Sequence, residues 1–551
     1  MTGCVTTFAE IVIPFVLVCQ AINRKPEPDA LLVNPGFSGA VVVWRKRLPP
    51  TTHGFFAVAR LRLPLVRDFS PTADLPGGAL ALVTSVWFFH RRFHMHIHAA
   101  QPLFAWGCLD DCPTLVTIRN FLRTVPDQEL LAGLHAARGH GRDDYPVERL
   151  WRVVLLTIAL RHTSFNACLA ELHRNPALCQ LLDITSAKQI PNGWNVSRFL
   201  DVLGTPPHLA ALRRVFDHLA RRLGLAVPDL GRHTAGDATA LNARPKTDPK
   251  AVATETDQGL PQPTGGRKEY QDDEGRVVKV VEWFGYKLHL LVDVRHEVAL
   301  AYDITDTKPG DNERVETLVE QAQANLPSGR IQTLAYDKAA DDEKVHEMLH
   351  QHGVKPVIQN RALWPKEGDQ EKVLPGRRYP LHLVYDEAGT VHCYDTVSDP
   401  PVRHRMAYIG YEHDRACVKY RCPARHEGWE CASDEKCNGT LAAGLSARVP
   451  CELDLRRFPP IPRATKEFER LYRGRTAVER VNARLKIFWG ADDGNVTGAR
   501  RFHGFVGAVM VVQLVFATLL AQAPRWEGTL GQTRLGPIAK ALRDSQLAEA
   551  G

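Results

Sequence analysis

Tyr472-Arg473-Gly474-Arg475-Thr476-Ala477-Val478-Glu479-Arg480-Val481-Asn482-Ala483-Arg484-Leu485-Lys486 is the stretch from which the rest of the chain is best read. The spacing predicts one long helix from Thr465 to Phe488. At about 100° per residue, Tyr472, Arg475, Glu479 and Lys486 fall within an arc of about 60°. Leu471, Val478, Val481, Leu485 and Phe488 lie on the opposite side, so an apolar stripe packs against a core and the polar quartet faces elsewhere. Taken alone, the quartet also fits a solvated face with Glu479 paired to Arg475 and Arg480.

Working outward, two upstream carboxylates sit at strand ends. His233 to Asn242 reads as a strand containing Asp237, and Asp337 directly follows the apolar strand Ile331 to Tyr336. A helix from Asp341 to His352 comes next, with Asp341 and Asp342 as its caps. Between the two strands, Pro245 to Gly275 reads as a polar loop. The β-branched and aromatic runs Val277 to Trp283, Tyr286 to Val294 and Val298 to Ile304 read as a meander. Asp311 to Ala324 reads as a helix capped by the Asp or Asn at its start, and Val354 to Ile358 as a short strand. Three strands followed by alternating helix and strand is the order of a ribonuclease H-like core.

This α/β core is interrupted before its last helix. Asn360 to Arg463 holds six of the twelve cysteines and several short apolar runs, and reads as an inserted β-rich subdomain. Ahead of the core, Val147 to Leu160, Phe165 to His173, Val196 to Leu203 and Leu209 to Leu223 carry apolar residues at helical spacing. Arg213, Arg214, Arg221 and Arg222 on the last of these face either phosphates or water. Arg501 to Gln522 reads as a strongly apolar, buried helix. The expected division is therefore residues 1–100 unassigned, 101–230 all-α, 231–359 the first part of the core, 360–463 the insert, 464–525 the last part of the core and 526–551 a tail.

Composition bounds the rest. A chain of 551 residues with 44% apolar and 24% charged residues builds two to four globular domains. A net charge of +7 suits a polyanion partner without proving one. The apolar runs Ile11 to Cys19 and Ala79 to Phe89 are shorter than the roughly 20 residues a bilayer requires, so no membrane partner is expected. No signal-peptide pattern follows Met1, which makes a cytoplasmic site and reduced cysteines the expectation. Residues 1–100, with the basic cluster Arg45-Lys46-Arg47, lack sustained periodicity and read as dispensable, the product of an upstream start codon. His94, His96 and His98 share one face of a strand if one forms, with no carboxylate or Cys partner at a metal-binding spacing.

Tyr472, Arg475, Glu479 and Lys486, spaced by two, three and six residues, resemble the signature of the DDE transposases of bacterial insertion sequences, in the group named after insertion sequence four. Asp237 stands where that family has its first catalytic aspartate, and Asp337-Lys338-Ala339 fits the pattern around its second. Trp283-Phe284-Gly285-Tyr286-Lys287-Leu288-His289, followed by Asp293, resembles the family's Gly-Tyr-Lys-Leu-His strand. The likeness covers roughly residues 113–522; it departs at Ala340, where the family usually has tyrosine.

The resemblance implies that Asp237, Asp337 and Glu479 are catalytic and hold two Mg²⁺ or Mn²⁺ ions. Two cations about 4 Å apart clamp the attacking and leaving oxygens of an in-line displacement at phosphorus. Tyr472, Arg475 and Lys486 are then DNA phosphate-binding residues, Arg as a planar fork and Lys as a point charge. The helical domain would bind the terminal inverted repeats, the partners being double-stranded end and target DNA on a bacterial nucleoid, and the active form a homodimer. Two alternatives are an inactive domesticated DNA-binding descendant, against which the three intact carboxylates speak, and a ribonuclease H-like nuclease without flanking repeats.

Cys417, Cys422, Cys431 and Cys437 have no C-x2-C pair among them. They are candidates for a structural zinc site, with Cys393 or Cys451 as a further ligand, or are buried free thiols.

Overall fold

The computed structural model describes residues 112–550 apart from 141–142, 247, 273–275, 366–369, 376–381, 443 and 494–495. The segment 1–100, with its basic cluster and its three alternating histidines, lies outside the described residues.

Seven α-helices precede the first described strand: α1 (Pro113–Thr124), α2 (Gln128–Arg138), α3 (Val147–Ala159), α4 (Phe165–Arg174), α5 (Pro176–Leu181), α6 (Gly193–Leu203) and α7 (Pro206–Ala226). Proline opens α1, α5 and α7, where its missing N–H would have no intrahelical partner anyway. Ser164 caps α4, and Asn192 with Asn195 forms a capping box on α6. Burial of α3 is nearly all-round, with Trp151, Val154 and Leu156 fully enclosed.

The arginines of α7 mostly serve packing. Arg213 lies over the Tyr302 ring at 3.5 Å and bonds the Tyr302 carbonyl, Arg214 pairs with Glu129 at 2.6 Å, and Arg221 reaches Asn325.

The central sheet has six strands: β1 (His233–Asn242), β2 (Thr264–Gln271), β3 (Val277–Asp293), β4 (Ala299–Thr305), β5 (Thr333–Tyr336) and β6 (Lys355–Ile358). Its order is β2-β3-β1-β5-β6, with β4 on the second half of β3. β3 runs antiparallel to β1 and β4, whereas β5 and β6 run parallel to β1 and to one another. Leaving β2 aside, this is the order expected of a ribonuclease H-like core.

The expected turn between Trp283 and Tyr286 is instead continuous strand. Gly285 is there for close approach: a Cβ on it would lie 2.0 Å from the Leu241 carbonyl oxygen of β1. The stretch expected as a loop holds α8 (Pro249–Asp257) and β2. Glu255 of α8 is fully buried, pairs with Lys246 at 2.9 Å and accepts from the Ala499 N–H, so this segment caps the start of the last core helix.

Helix α9 (Val315–Asn325) packs on β4 and β3, and α10 (Glu343–Gln351) leads into β6. α9 follows a tighter turn, Asp311–Arg314, and the expected Asp311 cap does not form; its carboxylate pairs with Lys287 instead. Helix α15 (Ala499–Ala521) is long and apolar enough to cross a membrane but is almost wholly buried among α1, α3, α6, α7 and β4. One continuous apolar core therefore joins the helical segment to the sheet. The expected tail contains a helix, α16 (Leu535–Ala550), packed on α1.

The insert forms two small sheets. One has the order β10-β9-β8-β7, with β7 at Glu371–Val373, β8 at Leu383–Asp386, β9 at Val391–Asp395 and β10 at Val402–Arg405. The other has the order β11-β12-β13, with β11 at Ala407–Glu412, β12 at Cys417–Arg421 and β13 at Ser446–Pro450. Short helices α11 (Pro423–Glu427) and α12 (Asp434–Asn438) connect β12 to β13.

Asp341 is not a helix cap; Asp342 alone caps α10. The buried Asp341 carboxylate instead accepts from the Arg361 N–H at 2.7 Å, from Arg456 at 2.9 and 2.8 Å, from Arg463 at 2.8 Å and from His346 at 3.1 Å. Burial opposes its ionisation, but these hydrogen bonds and the Arg463 charge hold its pKa well below the usual carboxylate range.

Candidate active site

The predicted single helix is built in three parts: α13 (Lys466–Arg473), α14 (Thr476–Ala483) and a π-helical turn over Arg484–Phe488. Between α13 and α14 the N–H groups of Gly474, Arg475, Ala477 and Val478 bond three residues back, which tightens the passage. Glycine is needed at 474 because a Cβ there would lie 2.7 Å from the Val294 side chain. The tight passage and the wide π turn both depart from 100° per residue, so Lys486 leaves the common arc.

α13 lies over β5 and β6, while α14 lies over β1 and β3. Val478, Val481 and Leu485 are fully buried, as the stripe predicts. The junction of the two helices thus crosses the sheet where β1 and β5 run side by side.

β1 and β5 are in parallel register, with Ala235 opposite Ala335. Asp237 and Asp337 each lie two residues beyond that last pair, near enough for the Asp337 charge to act on Asp237. Gly236 and Tyr336 occupy the other face of the sheet, where a Cβ on Gly236 would lie 2.3 Å from the Tyr336 ring. Side chains alternate along a strand, so Asp237 lies on the face opposite Gly236, where it interacts with Arg475 and Asp337.

Asp337 also accepts from the Ala339 N–H at 2.7 Å, which fixes the turn after β5. Burial pushes the Asp237 carboxyl up to about 6; the nearby Arg475 charge pulls the other way, and Asp311 and Asp337 add repulsion.

Arg475 donates to Glu479 Oε1 at 2.6 Å while its charge also reaches Asp237. Glu479 itself is half exposed. Tyr472 stacks on Phe468 at 5.8 Å with ring planes 7° apart, within electrostatic reach of Asp337, Arg475 and Glu479. Lys486 stands apart: its Nζ donates to the Ala240 carbonyl at 2.7 Å and pairs with Asp492 at 3.0 Å. The structure therefore gathers Asp237, Asp337, Glu479, Tyr472 and Arg475, and ties Lys486 to the far end of β1.

Asp311 and Lys287 belong to this neighbourhood and were missed in sequence. Lys287 Nζ bonds the Pro309 carbonyl at 2.9 Å and Asp311 at 3.3 Å. The position of Lys287 in the Gly-Tyr-Lys-Leu-His strand was the available signal. The other residues of that strand hold the fold: Tyr286 stacks on Phe502, His289 bonds Thr305, and Asp293 accepts from the Gly231 N–H.

The donor chemistry fits a hard divalent cation. Three carboxylates offer oxygen ligands, and a cation would favour the ionised Asp237 that burial, with smaller repulsion from Asp311 and Asp337, opposes. Of the cysteines, Cys422, Cys431 and Cys437 line one small cavity together with Cys393. Cys417 does not line it; that thiol bonds the Arg415 carbonyl and has Cys451 as its neighbour.

A family described as "Transposase DDE domain" matches residues 230–514, just over half of the chain, and includes both aspartates, Glu479, Arg475 and Lys486. No curated protein matches. Six chains of solved structures match, among them a piggyBac transposase synaptic complex with hairpin DNA. That similarity has a TM-score of 0.33 at 10% identity, over 81% of this chain and 83% of that one.

Proposed function

The chain belongs to the transposase DDE domain family, and we propose that it cuts DNA at the ends of a mobile element and joins those ends to target DNA, with Asp237, Asp337 and Glu479 as the metal-holding carboxylates. The observation that supports this reading is that Asp237 and Asp337, each two residues beyond the paired Ala235 and Ala335, interact electrostatically, and that Arg475, bonded to Glu479, interacts with Asp237 as well.

Two Mg²⁺ or Mn²⁺ ions held there would supply Lewis-acid stabilisation and an activated nucleophile. The protein's own groups position the DNA. Arg475 offers a planar fork to a phosphate beside the carboxylates and keeps Glu479 oriented until DNA arrives. Tyr472, stiffened by its stack on Phe468, walls the same side. Lys486 contributes charge at the end of β1, where it would meet phosphates further along the strand. The helices α1–α7 are the proposed binder of terminal inverted repeats, and pairing two ends requires at least a dimer.

The test is Mg²⁺-dependent nicking of a labelled duplex carrying the element's own end, run beside a gel shift. Alanine at Asp237, Asp337 or Glu479 is expected to abolish nicking while DNA binding persists. Robust cleavage by Glu479→Ala would overturn the three-carboxylate assignment.

A further inference from the structure

We infer that the insert carries a structural zinc site whose ligands are the thiolates of Cys393, Cys422, Cys431 and Cys437. These four come from separate elements: Cys393 from β9, Cys422 from the turn between β12 and α11, Cys431 from the loop after α11, and Cys437 from α12. They nevertheless line a single cavity of about 20 Å³, room for one ion or one water and too small for an organic ligand. Each thiol is within electrostatic reach of the other three.

Soft thiolates in a set of four select zinc and favour tetrahedral geometry, with Zn–S distances of about 2.3 Å. Filling the site displaces four thiol protons and leaves a net charge of minus two on the cluster. Groups suited to that charge are present. The Asn438 amide donates to Cys422 Sγ at 3.3 Å, His382 Nε2 lies 3.5 Å from Cys437 Sγ, and the Lys436 charge acts on Cys437.

Two other groups compete for the same place. Asp395, His404 and Cys431 bring ligand atoms within 4.8 Å of one another, a spacing that no three of the four thiols reach. The Asp395 carboxylate, however, is already taken by the Ser398 hydroxyl at 2.6 Å, the Ser433 hydroxyl and the Val397 N–H at 2.9 Å. His404 lies against Trp429 with ring centroids 4.8 Å apart. A set of four thiolates leaves Asp395 and His404 in the contacts they already make.

The insert has a reason to need such a clip. Among the described residues its own apolar cluster has only ten buried members, shared between two small sheets. Cys393 belongs to one sheet and Cys422 follows directly from the other, so one zinc would tie both sheets to the α11–α12 connection.

The experiment is elemental analysis of the purified full-length chain after dialysis against EDTA, together with cobalt substitution. Close to one zinc per chain is expected. The cobalt form should show intense thiolate-to-metal charge transfer characteristic of four sulfur ligands. Mercurial titration should release the zinc in step with thiol loss. Cys393→Ser should lose most of the zinc, while Cys417→Ser and Cys451→Ser keep it. Should Cys393→Ser be insoluble, the cobalt spectrum of the unaltered chain still decides the ligand set. Absent zinc with four titratable thiols, a disulfide among them, iron in place of zinc, a cobalt spectrum requiring nitrogen ligands, or zinc lost on Cys417→Ser would each overturn the assignment.

Discussion

As a proposed metal ligand, Asp237 should couple proton and cation binding. Its folded pKa is raised to about 6 from 3.8, chiefly by burial, so the fold favours the neutral acid. Between those values the unfolded chain ionises first, and the metal-free protein should lose stability as pH rises from about 4 to 6, then level off. Asp237→Asn should flatten that slope in a series of thermal melts; an unchanged slope would assign the titration elsewhere. Binding of Mn²⁺ should expel a proton below pH 6 and tighten as pH rises, visible as buffer-dependent heats in calorimetry. Arg475→Ala should slow nicking roughly 10²-fold, the scale of losing one preorganised charge donor, while Mn²⁺ stoichiometry stays as it was. These residues were legible because metal and phosphate chemistry demand fixed residue types at fixed spacings. Asp311 was not, since its pairing with Lys287, 24 positions away, leaves no local pattern, and the signal for Lys287 lay in its strand motif alone.

At the scale of elements, the site depends on two glycines that let backbones meet. Gly236→Ala would drive a methyl into the fully buried Tyr336 ring, and Gly474→Ala into Val294 at the α13–α14 junction. Each should cost about 1–3 kcal/mol by chemical denaturation, the usual range for overpacking. Gly265→Ala on β2, with open space around it, serves as the control and should cost far less. Apart from β2, the β-strands of the core and the buried character of α15 could be read from sequence because their apolar runs are long and their neighbours unambiguous. The tight passage and π turn that re-aim Lys486 could not, since both arise from contact with β1 and β3 rather than from local preference. α8 was hidden for a similar reason: its buried Glu255 makes sense only beside Lys246 and the start of α15.

For the whole molecule, Asp341 is the point where core and insert are joined. Its arginine partners lie 115 and 122 residues further on, which is why a local reading took it for a helix cap. Removing its charge with Asp341→Asn leaves Arg456 and Arg463 partly uncompensated and should destabilise by roughly 3–5 kcal/mol. Because the folded pKa is depressed, this contribution is present above the ordinary carboxylate value and is lost as pH falls below about 4. An acid-unfolding midpoint that does not move in Asp341→Asn would refute the role. The same carboxylate receives Arg361, where the chain leaves the core, and Arg456, where it returns, and the Arg456 guanidinium bonds the Arg361 carbonyl at 2.7 Å. The two crossings are thus neighbours, and replacing residues 362–455 with a short Gly/Ser linker should leave a folded core without zinc, measurable by its melting transition. Because entry and exit sit side by side, the insert behaves as a detachable module, and a change in its length need not shift the strands that carry Asp237 and Asp337.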